Sequence, residues 1–182
     1  MHPILETDRL RLRMVDLTDA PDIQRLVNHP TIARNTLTIP YPYPAGLAEK
    51  WLRETMLPAI EKGTDYLFAV TQRETDALMG VLGMHNRQFD RMVMGYWLGE
   101  VYWGHGYMTE AVRRAISFGF DELALNRIYA EYFSHNPASR RVMEKAGMQY
   151  EGLLRQHVCK DGEYFDVGVC GILRDDYDAL NG

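Results

Sequence analysis

The chain alternates near its start: Leu10, Leu12 and Met14 fall between Arg9, Arg11 and Arg13, a period of two that predicts a strand with one apolar and one cationic face. A helix follows, with Thr18 as its N-cap and Ile23, Leu26 and Val27 on its buried side. From His29 to Gly46, Pro30, Pro40, Pro42 and Pro44 interleave with Tyr41 and Tyr43, which excludes a regular helix and predicts a long loop. Long loops that keep aromatics often wall a binding site. A second helix spans Leu47 to Lys62 with Trp51 and Ile60 inward, bent or divided by Pro58. Three short strands come next: Tyr66 to Thr71, Met79 to Met84 and Met92 to Leu98.

The period then changes. Met108, Val112, Ile116 and Phe120 stand four residues apart with Ala111 and Ala115 beside them, the stripe of a helix over Tyr107 to Leu123 packed on a sheet. A strand from Arg127 to Phe133, a helix from Pro137 to Ala146 closed by Gly147, and strands at Leu153 to Val158 and Tyr164 to Leu173 complete the series. Asp161-Gly162 marks a hairpin between the last two. This order predicts an α/β sandwich on a mixed sheet. No repeat or linker divides the 182 residues, so one domain over 1–182 is expected.

Composition narrows the classes. At 46% hydrophobic and 25% charged the chain is of globular type, not disordered or collagen-like. A net charge of -5 disfavours binding along a nucleic-acid backbone and suits a basic or amine-bearing partner. Cys159 and Cys170 are too far apart in sequence for a CxxC redox or zinc motif, so reduced thiols and no metal are expected. No apolar run lies behind Glu6, Asp8 and Arg9, and no stretch of about 18 apolar residues occurs, which points to the cytoplasm and away from a membrane.

Candidate chemistry concentrates where Tyr96-Trp97-Leu98-Gly99 leads through Trp103-Gly104-His105-Gly106-Tyr107 into the striped helix. A strand, a loop with two glycines one residue apart and a helix N-terminus bring several unpaired backbone N–H groups to one concavity, which suits a phosphate or pyrophosphate. A side chain at Gly104 or Gly106 would hold the anion off. The loop is neither a Walker A sequence nor a complete dinucleotide fingerprint, so a nucleotide-linked ligand other than ATP or NAD is implied. Thirty residues on, Asn136 caps a helix that opens with Pro137 and ends at Gly147.

The order of these motifs resembles the GCN5-related N-acetyltransferase family, and within it the branch of the ribosomal-protein alanine and serine N-acetyltransferases (RimJ/RimL-like). The resemblance is carried by Glu6 to Arg13, by Gly95 to Gly99 with Trp103 to Ala111, by Asn136 to Ser139 with Glu144 to Gly147, and by Asp161 to Tyr164 with Asp166. It implies acetyl-CoA as donor, a primary amine as acceptor, and a mixed, mostly antiparallel central sheet flanked by helices. The sheet would splay between the Met92–Leu98 and Arg127–Phe133 strands. Trp97 and Leu98 would pair with pantetheine through their amides. Gly104, His105, Gly106, Tyr107, Met108 and Thr109 would hold the pyrophosphate, and Asn136 the pantetheine arm. The family loop begins with Arg or Gln where this chain has Val101, which costs a side-chain contact and leaves the backbone cradle intact.

The resemblance also implies Ser139 as the group that assists the departing sulfur, because the tyrosine acid of many relatives falls on Met143. The two positions where relatives carry a catalytic carboxylate fall on Val93 and Val158; His85 and His157 are the substitute bases, with a water relay as the alternative. Tyr41, Tyr43 and Trp103 are the candidates for the acceptor wall, or else simply pack the proline-rich loop. An α-amine, with pKa about 7.7–8.0, is neutral in about one molecule in ten at pH 7, against about 1 in 2,000 for a lysine side chain. A peptide N-terminus therefore needs less of a base, and a protein N-terminus is the expected acceptor. A small amine such as a polyamine or drug is the alternative acceptor, and a non-catalytic acyl-CoA sensor the alternative function. A homodimer is compatible with the sequence.

Overall fold

The computed structural model describes residues 2–182. Eight strands form one sheet in the order β1-β2-β3-β4-β5-β6-β8-β7. They are β1 Ile4–Glu6, β2 Leu10–Met14, β3 Tyr66–Gln72, β4 Leu78–Gln88, β5 Arg91–Leu98, β6 Arg127–Phe133, β7 Gln149–Lys160 and β8 Glu163–Leu173. Every neighbouring pair is antiparallel except β5 and β6. Those two are parallel because α5 (Tyr107–Ser117) crosses over between them.

The period-two opening folds as its pattern dictates. Leu10 and Leu12 are fully buried. The arginines on the other face find carboxylates: Arg11 reaches Glu6, and Arg13 forms a two-pronged pair with Asp19 at 2.7 and 2.9 Å. The first helical segment departs from expectation. Its cap is Asp16, which accepts from the Thr18 N–H at 2.7 Å, while Asp19 accepts from the Asp16 N–H at 3.0 Å; Thr18 lies two residues further on, inside the turn, where its own N–H is one of the donors being capped. A 3-10 turn over Leu17–Asp19 leads into α1 (Ala20–Val27). Asp19 is buried and holds both the cap and Arg13. Asp19→Ala should therefore lower unfolding stability in urea by about 1–3 kcal/mol, since it removes the two-pronged partner of Arg13, leaving only Asp76 at 3.1 Å, and opens the cap together.

The proline-rich segment is not loop throughout. Pro30 occupies a first-turn position, where a missing N–H costs nothing, and a short α2 (Pro30–Arg34) forms with the His29 ring nitrogen accepting from Thr31 N–H at 3.2 Å. The second predicted helix splits into α3 (Leu47–Trp51), a wide π turn (Leu52–Met56) and α4 (Leu57–Glu61). Pro58 sits early in α4, and the widened turn before it absorbs the carbonyl its ring would strike. Ile60 is buried and Trp51 half-buried.

The helices cover both faces. On one, α5 packs Met108, Val112, Ile116 and, in the π turn that follows, Phe120 against Leu82, Met92 and Ile128. On the other, α1 to α4 enclose a second cluster around Ile23, Leu52 and Val81. The Asp161-Gly162 hairpin has positive φ at both residues, 51° and 83°, the conformation of a two-residue turn between twisted strands. Besides α2, two further elements beyond the predicted set complete the sheet and its cover, β1 and α7 (Arg174–Asn181). No helix among the described residues is long and apolar enough to cross a membrane.

Candidate active site

The site arises where the sheet stops being a sheet. β5 and β6 pair only over Arg91–Met94 and Arg127–Ala130, and beyond Met94 they part. A cleft of about 690 Å³ opens in the fork, large enough for an extended small molecule. The Gly99 N–H donates to Met79 O at 2.9 Å, and alternation along an antiparallel ladder then turns the main-chain groups of Trp97 toward β4 and those of Tyr96 and Leu98 into the gap. Leu98 and Tyr96 therefore offer backbone partners to a ligand, whereas the Trp97 amide is spent within the sheet. The Trp103 indole N–H, on the cleft lining, donates to Leu98 O at 2.7 Å.

At one end of the cleft lies the glycine loop. Gly104 and Gly106 have φ of +80° and +79°, left-handed values that a side chain resists. A Cβ on Gly104 would meet open space, and one on Gly106 only Arg9 at 3.7 Å, so both missing side chains leave room rather than relieve a clash. Gly106 is the N-cap of α5 and supplies no side-chain cap, which leaves the first-turn N–H groups of Tyr107, Met108 and Thr109 to the cleft. Arg9 braces the loop: it binds Glu110 through Nε at 2.7 Å, donates to His105 O at 3.0 Å and lies over the Tyr107 ring. The His105 ring itself is exposed and stacks on Tyr107.

At the fork stands a pair of hydroxyls. Asn136 caps α6 (Pro137–Lys145) through Oδ1, which accepts from Ser139 N–H at 3.3 Å, so its amide nitrogen is what remains for a ligand. That cap places Ser139 in the first turn of α6, on the lining, with Oγ 3.1 Å from the Tyr96 hydroxyl. Burial pushes the Tyr96 phenol well above its ordinary pKa, so it stays protonated, and its O–H donates to Ser139 O at 3.1 Å.

One acidic residue, Glu131, stands on the lining, and sequence reasoning missed it. Glu131 is exposed on β6 while its neighbours Ala130 and Tyr132 point into the core beneath α5. Its own side chain therefore faces the α1–α4 side, the face shared by Val93 and Tyr129, which pair across β5 and β6. Gly95, the next β5 residue on that face, leaves open space there.

The two histidines are placed elsewhere. His85 is half-buried two residues along β4 from Gly83, with Nδ1 3.5 Å from Asp65 and its ring where a Gly83 Cβ would stand; it is held below its usual pKa mainly by burial. It does not line the cleft. His157 sits exposed in the bulge of β7 between Leu154 and Val158, and also lies off the lining. Tyr41 is exposed. Tyr43 is fixed by its backbone, accepting from Gln24 and donating to Asn28, and packs on the α1–α4 core. Of the three aromatics only Trp103 lines the cleft.

Comparison with known proteins agrees with this geometry. The family model described as an acetyltransferase (GNAT) domain matches residues 9–149. The uncharacterized N-acetyltransferase YoaA of Bacillus subtilis (strain 168) is 30% identical over 181 residues, 96% of this chain and 98% of that one. The ribosomal protein uS5-alanine N-acetyltransferase of Escherichia coli (strain K12) is 28% identical over 185 residues, 95% of this chain and 92% of that one. In fold, the chain matches RimL, a ribosomal L7/L12 alpha-N-protein acetyltransferase solved in complex with coenzyme A, with a TM-score of 0.86 at 21% identity, covering 96% of this chain and 99% of that one. A family match over more than half of the chain and a relative of matching length place it in the GNAT family of N-acetyltransferases.

Proposed function

We propose that the chain transfers the acetyl group of acetyl-CoA to an α-amine, with a protein N-terminus as the acceptor. The observation that carries the reading is the fork itself, which puts an anion cradle, unpaired strand amides, a hydroxyl pair and a carboxylate along one cleft. Gly104, Gly106 and the first turn of α5 fit a pyrophosphate, and Leu98, Tyr96 and Asn136 fit a chain bearing amides. Acetyl-CoA, when bound, supplies a thioester whose carbonyl carbon an amine can attack and whose sulfur can leave.

The chain's own residues divide the remaining work. Glu131 attracts the cationic acceptor and takes the proton that its nitrogen loses. Ser139 Oγ–H donates to the sulfur as negative charge grows there, and the Tyr96 phenol, fixed 3.1 Å away, holds that hydroxyl in place. Because a thiol leaves with a pKa near that of cysteine, about 8.5, hydrogen bonding suffices and no strong acid is needed. Ser139→Ala should lower kcat about tenfold with acetyl-CoA affinity unchanged, and the Ser139→Ala/Tyr96→Phe double variant, which also loses the Tyr96 O–H bond to Ser139 O that ties β5 to α6, should lose more. Stopped assays of both variants at saturating acetyl-CoA check this.

The acceptor is tested by mass spectrometry after incubation with three amines: a peptide with a free N-terminus and blocked lysines, the same peptide blocked at the N-terminus with lysines free, and a polyamine. Acetylation of the first supports an N-terminal acceptor. Acetylation of the polyamine alone would replace it with a small-molecule acceptor.

A further inference from the structure

The sheet joins its two halves only through the four β5–β6 pairs at the closed end of the fork. The open end is crossed by something else. Residues 30–39, α2 and the strap after it, line the cleft through Ile32, Asn35, Thr36 and Leu37. They belong to the β1–β5 half, where Ile32 packs in the α1–α4 core. Their carbonyls, however, are gripped from the other half. Lys160, the last residue of β7, donates through Nζ to Ala33 O at 2.5 Å, Thr36 O at 2.6 Å and Ile39 O at 2.8 Å. His135, in the turn between β6 and α6, lies with Nε2 3.3 Å from Arg34 O.

An ammonium has three N–H donors, and three carbonyls use all of them. Lys160 does not itself line the cleft, so any effect on a substrate passes through the strap. Burial lowers its pKa from the ordinary lysine value against the opposing pull of Asp161, as expected for a charge met by carbonyl dipoles in place of water. The glycine loop lies at the α5 N-terminus and is braced separately by Arg9.

We infer that Lys160 is a positioning residue for the acceptor: a strut across the open end of the cleft that fixes the strap against the β7–β8 hairpin and so sets the width of the acceptor pocket. This rests on the cleft being the transfer site proposed above. Its loss should act on the acceptor and spare acetyl-CoA, which the cradle and strand amides hold.

The test compares Lys160→Met with Lys160→Arg and the parent. Lys160→Met should raise the acceptor KM about tenfold with kcat and acetyl-CoA affinity within about twofold, and should speed hydrogen exchange of the 33–39 amides at least about tenfold while β3 and β4 stay protected. Lys160→Arg, which keeps a cation and several donors, should bring KM back to within about threefold of the parent. An unchanged KM, unchanged exchange, or a parallel fall in kcat and acetyl-CoA affinity would overturn the strut. If the parent acetylates no amine, the transferase reading fails, and exchange alone then decides: faster strap exchange upholds the strut and unchanged exchange removes it. Should Lys160→Met not fold, Lys160→Gln, with fewer donors, is read by the same two measurements.

Discussion

Gly106→Asp should weaken acetyl-CoA binding by at least about a hundredfold in a calorimetric titration, with the fold retained by circular dichroism. Two effects act together. A side chain at φ +79° is strained by on the order of 1 kcal/mol or more. The new carboxylate then stands where a pyrophosphate would sit, and like charges about 4 Å apart repel by roughly 4 kcal/mol in a partly screened site. Arg9 is near enough to answer the new charge, at 3.7 Å from the added Cβ, but it is already engaged by Glu110. Gly106→Ala separates the two effects: it keeps the strain, adds no charge, and should cost only about fivefold to tenfold. Equal losses in both variants would mean that the loop matters for its shape and not as an anion cradle.

The second large effect concerns Glu131. Glu131→Gln should lower kcat/KM for an α-amine acceptor about a hundredfold at pH 7, with acetyl-CoA affinity unchanged. The pH dependence carries the sign. An α-amine titrates at about 7.7–8.0, so at pH 7 most acceptor molecules must lose a proton before attack, and a carboxylate that accepts it helps most there. Above pH 8.5 or so the amine is already neutral, and the deficit of the variant should narrow. A deficit constant across that range would show that Glu131 orients or attracts the acceptor without moving its proton.

The strands and helices that position this site are legible because their signals are local. The Arg9 to Met14 alternation, the Met108 to Phe120 stripe, the Asn136-Pro137 helix start and the Asp161-Gly162 turn each state a period or a dihedral preference that the fold has no reason to override. The glycine loop is legible by its place and not by its glycines alone: Gly46 starts α3 with the same left-handed φ, and it is the strand before Gly104 and Gly106, the striped helix after them and the resemblance in motif order that mark a cradle. α2 was hidden because Pro30 breaks a helix in its interior but suits its first turn, and only the structure tells which applies. α7 is short and buries none of its residues, so it has no apolar stripe to read.

Within the site the limit is different. Glu131 looks like any outward residue of an alternating strand, and it becomes a site residue only because β5 leaves β6 after Met94. Nothing in the local sequence records where two strands part. His85 and His157 drew notice because an imidazole titrates near neutrality, yet residue type says nothing of direction, and the fold turns one over Gly83 and the other out to solvent. Lys160 is likewise an unremarkable strand-end lysine until the strap carbonyls are brought to it.

If the fork holds acetyl-CoA in order to give its acetyl group to an amine, thiol release must depend on the amine. The most direct measurement is the release of free CoA thiol from acetyl-CoA, followed colorimetrically with and without a peptide bearing a free N-terminus. Release should be slow without the peptide and rise saturably with it, one thiol for each peptide acetylated. Tight acetyl-CoA binding with no amine-dependent release would contradict such a transfer and leave an acyl-CoA-binding protein that does not turn over.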